Sequence, residues 1–534
     1  MASHFQLHAE TSQIVPCPPG TLRRFHEVVT FLESLKDLFY QESATRCVAE
    51  PEGSAVERDP KQLYTCFVNK LSQICDTTRG DNGATITAFA VRQSGTVEYL
   101  FASNRRSASE LAAVQTFIVD ILEMLGMASD DVIERADYRS DIFRNLLEKI
   151  LLFNRPRVAY YIKQLSDNLE FCLDKARDEE TDEAKEALKC FEALGLKVGL
   201  AAQNREAESE KFFTHSRELL FATKALYHGP LEDFLRAKSS EDRQGPAATP
   251  WSEAHHALGR LVSYFIAVKV LISTRKRWLE LFVDFDVVAL PSSEPGDTPS
   301  VRRTAKGMVE RMNRDRVITQ LYQRLAPQLQ EMGLDEIIKK KTHPRKFAPI
   351  VHAEILVDDY IRRQDRTMPP DEDQVRYFKE SSFGRYIGSS KPTCRLCWLY
   401  FEQHPDEVRV RPSHHNLYYL WRAPDVFVED GPEAAAAMKD VLESMIRAIR
   451  AETSRALRDR SAIRNFFDSN NTPSNPLRTT DRATGGSNPS DLVSQMSDLS
   501  VSTVRHSPDL SRDTTPETEP GTPPHDYLAA QIGQ

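Results

Sequence analysis

Cysteine is scarce in this chain, and long uncharged apolar runs are missing altogether. Eight cysteines are spread over 534 residues, at 17, 47, 66, 75, 172, 190, 394 and 397. Only the last two stand at a motif spacing. That argues against a disulfide framework and for a reducing, intracellular compartment, cytoplasmic or nuclear. No segment offers the eighteen or more uncharged apolar residues of a membrane span, so no membrane partner is expected. Met1 to Pro19 lacks a basic stretch followed by an apolar one, so no secretory leader is expected either. Positive charge is in deficit. With 69 Lys and Arg against 78 Asp and Glu, the net charge is −9. That argues against a general nucleic-acid coat protein but leaves room for a local basic groove. No internal repeat is visible.

Hydrophobic residues make up 40% of the chain, enough for a large core, and the length suggests two to four domains. Ala84-Thr-Ile-Thr-Ala-Phe-Ala-Val91 and Thr96-Val-Glu-Tyr-Leu-Phe101 are β-branched and aromatic runs joined at Ser94-Gly95. Residues 84–106 therefore read as a β-hairpin. From about 109 to 285 the period becomes helical. Leu111, Phe117, Ile118, Ile121 and Leu122 form one stripe; Ile142, Leu146, Leu147, Ile150 and Leu151 form another. Pro250 suits the first turn of a long apolar helix reaching about Trp278. Lys238 to Thr249 and Pro291 to Ser300 read as loops. A helix pair is expected over about 305–341, and a long Ala-rich helix from Ala434 to about 464.

Beyond Phe467 the chain turns rich in Ser, Thr, Asn, Pro and Asp, and a disordered tail is expected. Thr472, Ser507, Thr515 and Thr522 each precede a proline and are candidate phosphorylation sites in an otherwise inert segment. Lys339, Lys340, Lys341, Arg345 and Lys346 form a basic cluster. It fits a solvated helix end, a nuclear import signal or a phosphate contact.

His352-Ala353-Glu354 and Cys394-Arg395-Leu396-Cys397 carry the chemistry. Together they offer one imidazole, two thiols and one spare carboxylate. That set suits a zinc ion that keeps a fourth position for water. His-Ala-Glu also occurs at His8-Ala9-Glu10, so context has to separate the two copies. His352 precedes Ile355, Leu356, Val357, Tyr360 and Ile361, with i,i+4 pairs of a helix. Phe383 to Gly388 reads as a strand, and the cysteine pair opens another helical run. Cysteines three apart at a helix start face the same way, and the helix dipole there favours thiolates. Glu354, two residues past the histidine, is free to move a proton.

Ile350-Val-His-Ala-Glu-Ile-Leu356, then Tyr386-Ile-Gly-Ser-Ser-Lys-Pro-Thr-Cys-Arg-Leu-Cys397, then Ser413-His-His-Asn-Leu-Tyr418 together resemble the zinc-dependent cytidine-deaminase-like superfamily. The text is most similar to the bacterial-toxin-type group expanded in filamentous fungi. The resemblance implies Zn2+ held by His352, Cys394 and Cys397, with Glu354 as the catalytic proton carrier. It implies a mixed sheet flanked by helices, with 84–106 as its first hairpin and 107–340 as a helical insertion. The proline here is set one residue further from the first cysteine than the superfamily pattern has it, giving Pro-Thr-Cys.

The expected class is therefore α+β or α/β. Residues 1–83 are a mainly helical N-terminal segment, 84–106 the hairpin, 107–340 the helical region or insertion, 341–465 the zinc core and 466–534 the tail. The substrate class is a nucleobase in a nucleoside, a nucleotide or single-stranded nucleic acid. Protein partners have the helical region and the tail available to them. Other readings stay open. The hairpin could be a separate N-terminal β element. The cysteine pair could be a redox pair, or could join His404, His414 or His415 in a structural zinc knuckle. The chain could also be a non-catalytic helical interaction scaffold with a structural or degenerate zinc site. Tyr418, Tyr419 and Trp421 are either core or a stacking platform for a base.

Overall fold

The structure is a computed structural model. It describes residues 13–42, 58–79, 83–227, 229–241, 249–296, 301–312, 316–367, 376–379, 381–403, 408–460 and 462–464. His8-Ala9-Glu10, His404 and the tail 466–534 lie outside the described residues.

In chain order, β1 (Ile14–Val15), α1 (Pro19–Leu38), β2 (Tyr40–Glu42) and α2 (Pro60–Cys75) come first. The hairpin follows as β3 (Thr87–Ser94) and β4 (Thr96–Ser103). Helices come next: α3 (Ala108–Met127), α4 (Asp130–Glu134), α5 (Asp141–Phe153), α6 (Arg155–Arg177), α7 (Asp182–Gln203), α8 (Ser209–Leu226), α9 (Pro230–Glu241) and α10 (Pro250–Arg277). Then come β5 (Phe285–Ala289), α11 (Ala305–Val309), α12 (Arg316–Glu331), α13 (Leu334–Lys341) and α14 (Ala353–Thr367). β6 (Arg376–Tyr377), β7 (Tyr386–Ser389), α15 (Arg395–Phe401), β8 (Arg409–Val410), β9 (Val426–Phe427), α16 (Gly431–Asp459) and β10 (Ala462–Arg464) complete the order.

The central sheet runs β5-β4-β3-β7-β8, with β6 also on β3. β3 is antiparallel to β4 and β7, whereas β4–β5 and β7–β8 are parallel. The sheet is therefore mixed, and the hairpin shares it with the strand that leads to the cysteine pair. The hairpin begins three residues later than the β-branched run suggested, at Thr87, because Ala84 to Ile86 form a turn. Gly95, at φ +83°, closes it in a conformation that L side chains rarely adopt.

Strand alternation sorts the hairpin between two cores. Phe89, Val91, Val97, Tyr99 and Phe101 face α2, α3, the other helices to α10, and Phe282. Ala88, Ala90, Leu100 and Ala102 face α1, α14, α15, α16 and both motif cysteines. Helices thus cover both faces, and the small alanines let α14 lie close over the sheet. On the other face Gly388 of β7 admits α2. A Cβ there would stand 2.7 Å from the Val68 side chain and 2.9 Å from Asn69 Oδ1. Asn69 uses the closeness: its Oδ1 accepts from Tyr386 Oη at 2.9 Å and from the Ser389 N–H at 3.3 Å.

The helical layer is capped from its sequence. Ser107 and Glu110 form a capping box on α3, and Thr249 and Ser252 one on α10, where Pro250 takes the first turn. Helix α10 is long and apolar enough to cross a membrane, with a mean hydropathy of 1.5 over eighteen residues. Yet 89% of that stretch is buried among the other helices. Two expectations shift here. Among the described residues of 305–341 there are three helices and not two, with Gly333, at φ +85°, separating α12 from α13. α16 stops at Asp459, where Arg460 turns left-handed.

Candidate metal centre

His352 ends an extended segment tied down on both sides. The Ile350 N–H donates to Leu420 O at 3.0 Å, and the Arg422 N–H donates to Ile350 O at 2.9 Å. The Val351 N–H donates to Ser293 Oγ at 2.8 Å. The Ala353 N–H, at the start of α14, has no partner within the helix. Asn104, just past β4, accepts it through Oδ1 at 2.9 Å. The hairpin therefore holds the start of the histidine helix across 249 positions of sequence.

Cys394 caps α15, accepting the Cys397 N–H on its sulfur at 3.4 Å. Two backbone bonds fix this loop to the segment after β8. The His414 N–H donates to Thr393 O at 3.1 Å, and the Arg395 N–H donates to Asn416 O at 2.9 Å. The carbonyl just before the first cysteine is thus engaged by the loop that follows.

The two motifs meet. His352 Nδ1 lies 3.5 Å from Cys394 Sγ and 3.3 Å from Cys397 Sγ, and all three ligand atoms are within 4.8 Å of one another. Tetrahedral zinc with ordinary Zn–N and Zn–S lengths places N and S ligands roughly 3.6 Å apart. The donor set and its spacing fit the ion. Cys397 is fully buried and Cys394 nearly so. Burial opposes the Cys394 thiolate, but contacts with Cys397 and His352 outweigh it and hold its pKa well below the ordinary value. Burial pushes the Cys397 thiol well up, with the Cys394 charge acting the same way. Burial also opposes a charged His352, yet the Cys394 sulfur prevails and raises the ring's pKa. Glu354, 4% exposed in the first turn of α14, has its pKa raised by burial while His352 pulls it partly back.

Residues 351–425 match the family model of the OTT_1508-like deaminases. This segment is cytidine-deaminase-like. It contains His352, Glu354, Cys394 and Cys397, and it ends beyond the loop that brackets the cysteines. No curated protein and no solved structure matches the chain.

The remaining candidates divide. Among the described residues the one cluster of three or more potential metal ligands is His352, Cys394 and Cys397, so neither His414 nor His415 joins it. His414 is buried and its Nδ1 accepts the Asn416 N–H at 3.0 Å. His415 sits left-handed at φ 60°, its carbonyl accepting from Lys36. Tyr418, 36% exposed, puts its ring 6.4 Å from the His352 ring, whereas Tyr419 packs on Phe347 and Trp421 is core. The basic cluster is partly spent internally, with Lys341 on Asp37 at 2.9 Å and Lys339 on Glu336 at 2.6 Å. Arg409 and Arg411, which follow the cysteine helix, do not form a surface patch. Arg411 is buried with Nη1 on Ser389 O, and Arg409 donates to Phe383 O. A cavity of about 440 Å³ lies further along α14, but its arginines are already paired, Arg362 with Asp358 and Arg363 with Asp359 and Asp430.

Sequence reasoning missed Asn104, Arg105 and Ser293. No spacing rule connects them to His352, because sheet pairing alone brings them there.

Proposed function

We propose that the chain is a zinc-dependent hydrolytic deaminase acting on a nucleobase carried by a nucleoside, a nucleotide or single-stranded nucleic acid. The convergence of His352 Nδ1 with the two thiols, with the buried Glu354 two residues past the histidine, carries this reading. His352, Cys394 and Cys397 would hold the ion. When bound, zinc supplies a Lewis acid able to lower the pKa of water to about 7. Glu354 holds and passes the proton, and burial raises its pKa above the ordinary carboxyl value. A structural zinc site gains nothing from such a carboxyl. Tyr418 offers an exposed aromatic face beside His352 against which a base could lie. The reaction class is replacement of an exocyclic amine by oxygen with release of ammonia.

The same reading makes the sheet carrying β3, β4 and β7 a cytidine-deaminase-like core. The helices between β4 and β5 are then an insertion within it. Within the family, the quoted motif text favours the bacterial-toxin-type group expanded in fungi. The decisive experiment measures zinc content together with ammonia release over a panel of cytosine and adenine compounds. Ammonia from one class of base, lost in Glu354→Gln with zinc retained, is the expected result. Full zinc with no ammonia from any compound would return the chain to the scaffold reading.

A further inference from the structure

We propose that Arg105 anchors a substrate phosphate, so that the base reaches the His352–Glu354 site as a phosphate ester and not as a free nucleoside. The inference rests on the deaminase reading above and names its substrate class.

Arg105 follows Asn104 directly, so the same strand end that holds the α14 start also presents this guanidinium. Its position is fixed at two points. The backbone N–H donates to Ala84 O at 2.9 Å, and Nη2 donates to Ala348 O at 3.0 Å, four residues before His352. The side chain is half-buried, and its Nε is fully buried and meets no acceptor among the described residues. No carboxylate among the described residues pairs with it.

Other sheltered arginines of this protein do have such a partner. Arg157 has Asp76 at 2.5 Å, Arg275 has Asp130 at 3.0 Å and Arg362 has Asp358 at 2.7 Å. Sheltering a guanidinium without an anion is unfavourable. Asn104, its neighbour in the chain, accepts the Ala353 N–H at 2.9 Å, so Arg105 stands one residue from a group bonded to the site's helix start. The guanidinium keeps Nη hydrogens beyond the one given to Ala348 O, beside a site that takes a planar base, and these suit a phosphate oxygen. Two more cations, Arg345 and Lys346, are exposed just upstream of Ala348. A polynucleotide would engage them as well; a mononucleotide would need Arg105 alone.

The test uses the zinc-loaded full chain with cytosine and adenine nucleosides, their 5′-monophosphates and a short single-stranded oligonucleotide. Arg105→Ala should shift the ratio of kcat/KM for phosphate ester over nucleoside by at least about tenfold, mainly through KM. Arg105→Lys should recover part of that, since it keeps the charge but loses the fork. Salt-dependent kinetics, lost on Arg345→Ala with Lys346→Ala, identify the polymer as the source of the phosphate; salt-insensitive kinetics identify the mononucleotide. An unchanged ratio in Arg105→Ala overturns the proposal. So does loss of zinc in that variant, which would mean the arginine only balances the thiolates. If wild type releases ammonia from none of these compounds, the deaminase reading fails on its own. Calorimetric binding of the monophosphates to wild type and Arg105→Ala then judges the anchor, and equal affinities overturn it.

Discussion

The two faces of the central sheet bury the same side chains to the same depth and give them different chemistry. On the helical face Cys172 of α6 and Cys190 of α7 are enclosed by apolar neighbours. Burial pushes their thiols up, to about 12 and about 11. On the other face Cys394 is as well buried, yet its thiol is held well below the ordinary range. Depth is not the variable. The difference is the Cys397 thiol beside it, a histidine nitrogen at 3.5 Å and an N–H of Cys397 aimed at the sulfur. A buried thiol resists ionisation in apolar surroundings, and becomes a candidate ligand where donors converge on it.

The comparison breaks if zinc does not follow it. Cys394→Ala or His352→Ala should lose most of about one equivalent of zinc per chain, measured by mass spectrometry of metals. Cys172→Ala and Cys190→Ala should retain it all. Retention in His352→Ala would point to a cysteine-based knuckle.

Chemistry and stability should separate along the same line. Glu354→Gln, on the metal side, should keep zinc and the melting temperature while ammonia release falls by roughly 10²–10⁴-fold. Zinc loss in that variant would show that the carboxyl is a ligand. Arg157→Met, on the helical side, should do the reverse. It leaves Asp76 buried and charged without its partner at 2.5 Å. The expected cost is about 3–5 kcal/mol in denaturant unfolding. Replacing Asp76 as well, by Leu, should recover part of it.

The smallest expected effect is pH dependence from His26. This α1 residue lies edge-on to Phe25 and Phe347 with its Nδ1 unpartnered, and burial lowers its pKa to about 4. The unfolded chain, near the ordinary 6.5, takes up the proton first. Stability is therefore full above pH 6.5 and declines as pH falls towards 4, by up to about 3 kcal/mol. Thermal melts across that range should show the decline, and His26→Leu should flatten it. An unchanged slope would place the acid sensitivity elsewhere, with the paired carboxylates of the helical side as the next candidates.

Local signals were legible in proportion to how local their cause was. The Pro250 start, the Gly95 turn and the stripes of α3 and α5 depend on neighbours within about one turn, and the sequence pattern reads them directly. The three ligand candidates and Glu354 were legible because an ion's coordination needs restrict residue type and spacing. The start of β3, the break at Gly333 and the end of α16 were less so, since β-branched and helix-forming residues continue past the points where packing stops the element.

The sequence by itself determined that a zinc-type donor set exists, that helices dominate between the hairpin and β5, and that the hairpin strands alternate. Only the tertiary structure decided that alternate hairpin residues divide between two cores, so that Ala88, Ala90 and Ala102 make room for α14. Only it decided that Asn104 holds the histidine helix and that Arg105 stands beside it without a carboxylate. Those relations span some 240 residues of chain. Their physical cause is strand pairing between β3 and β7, and no local pattern records which distant segment a strand will accept.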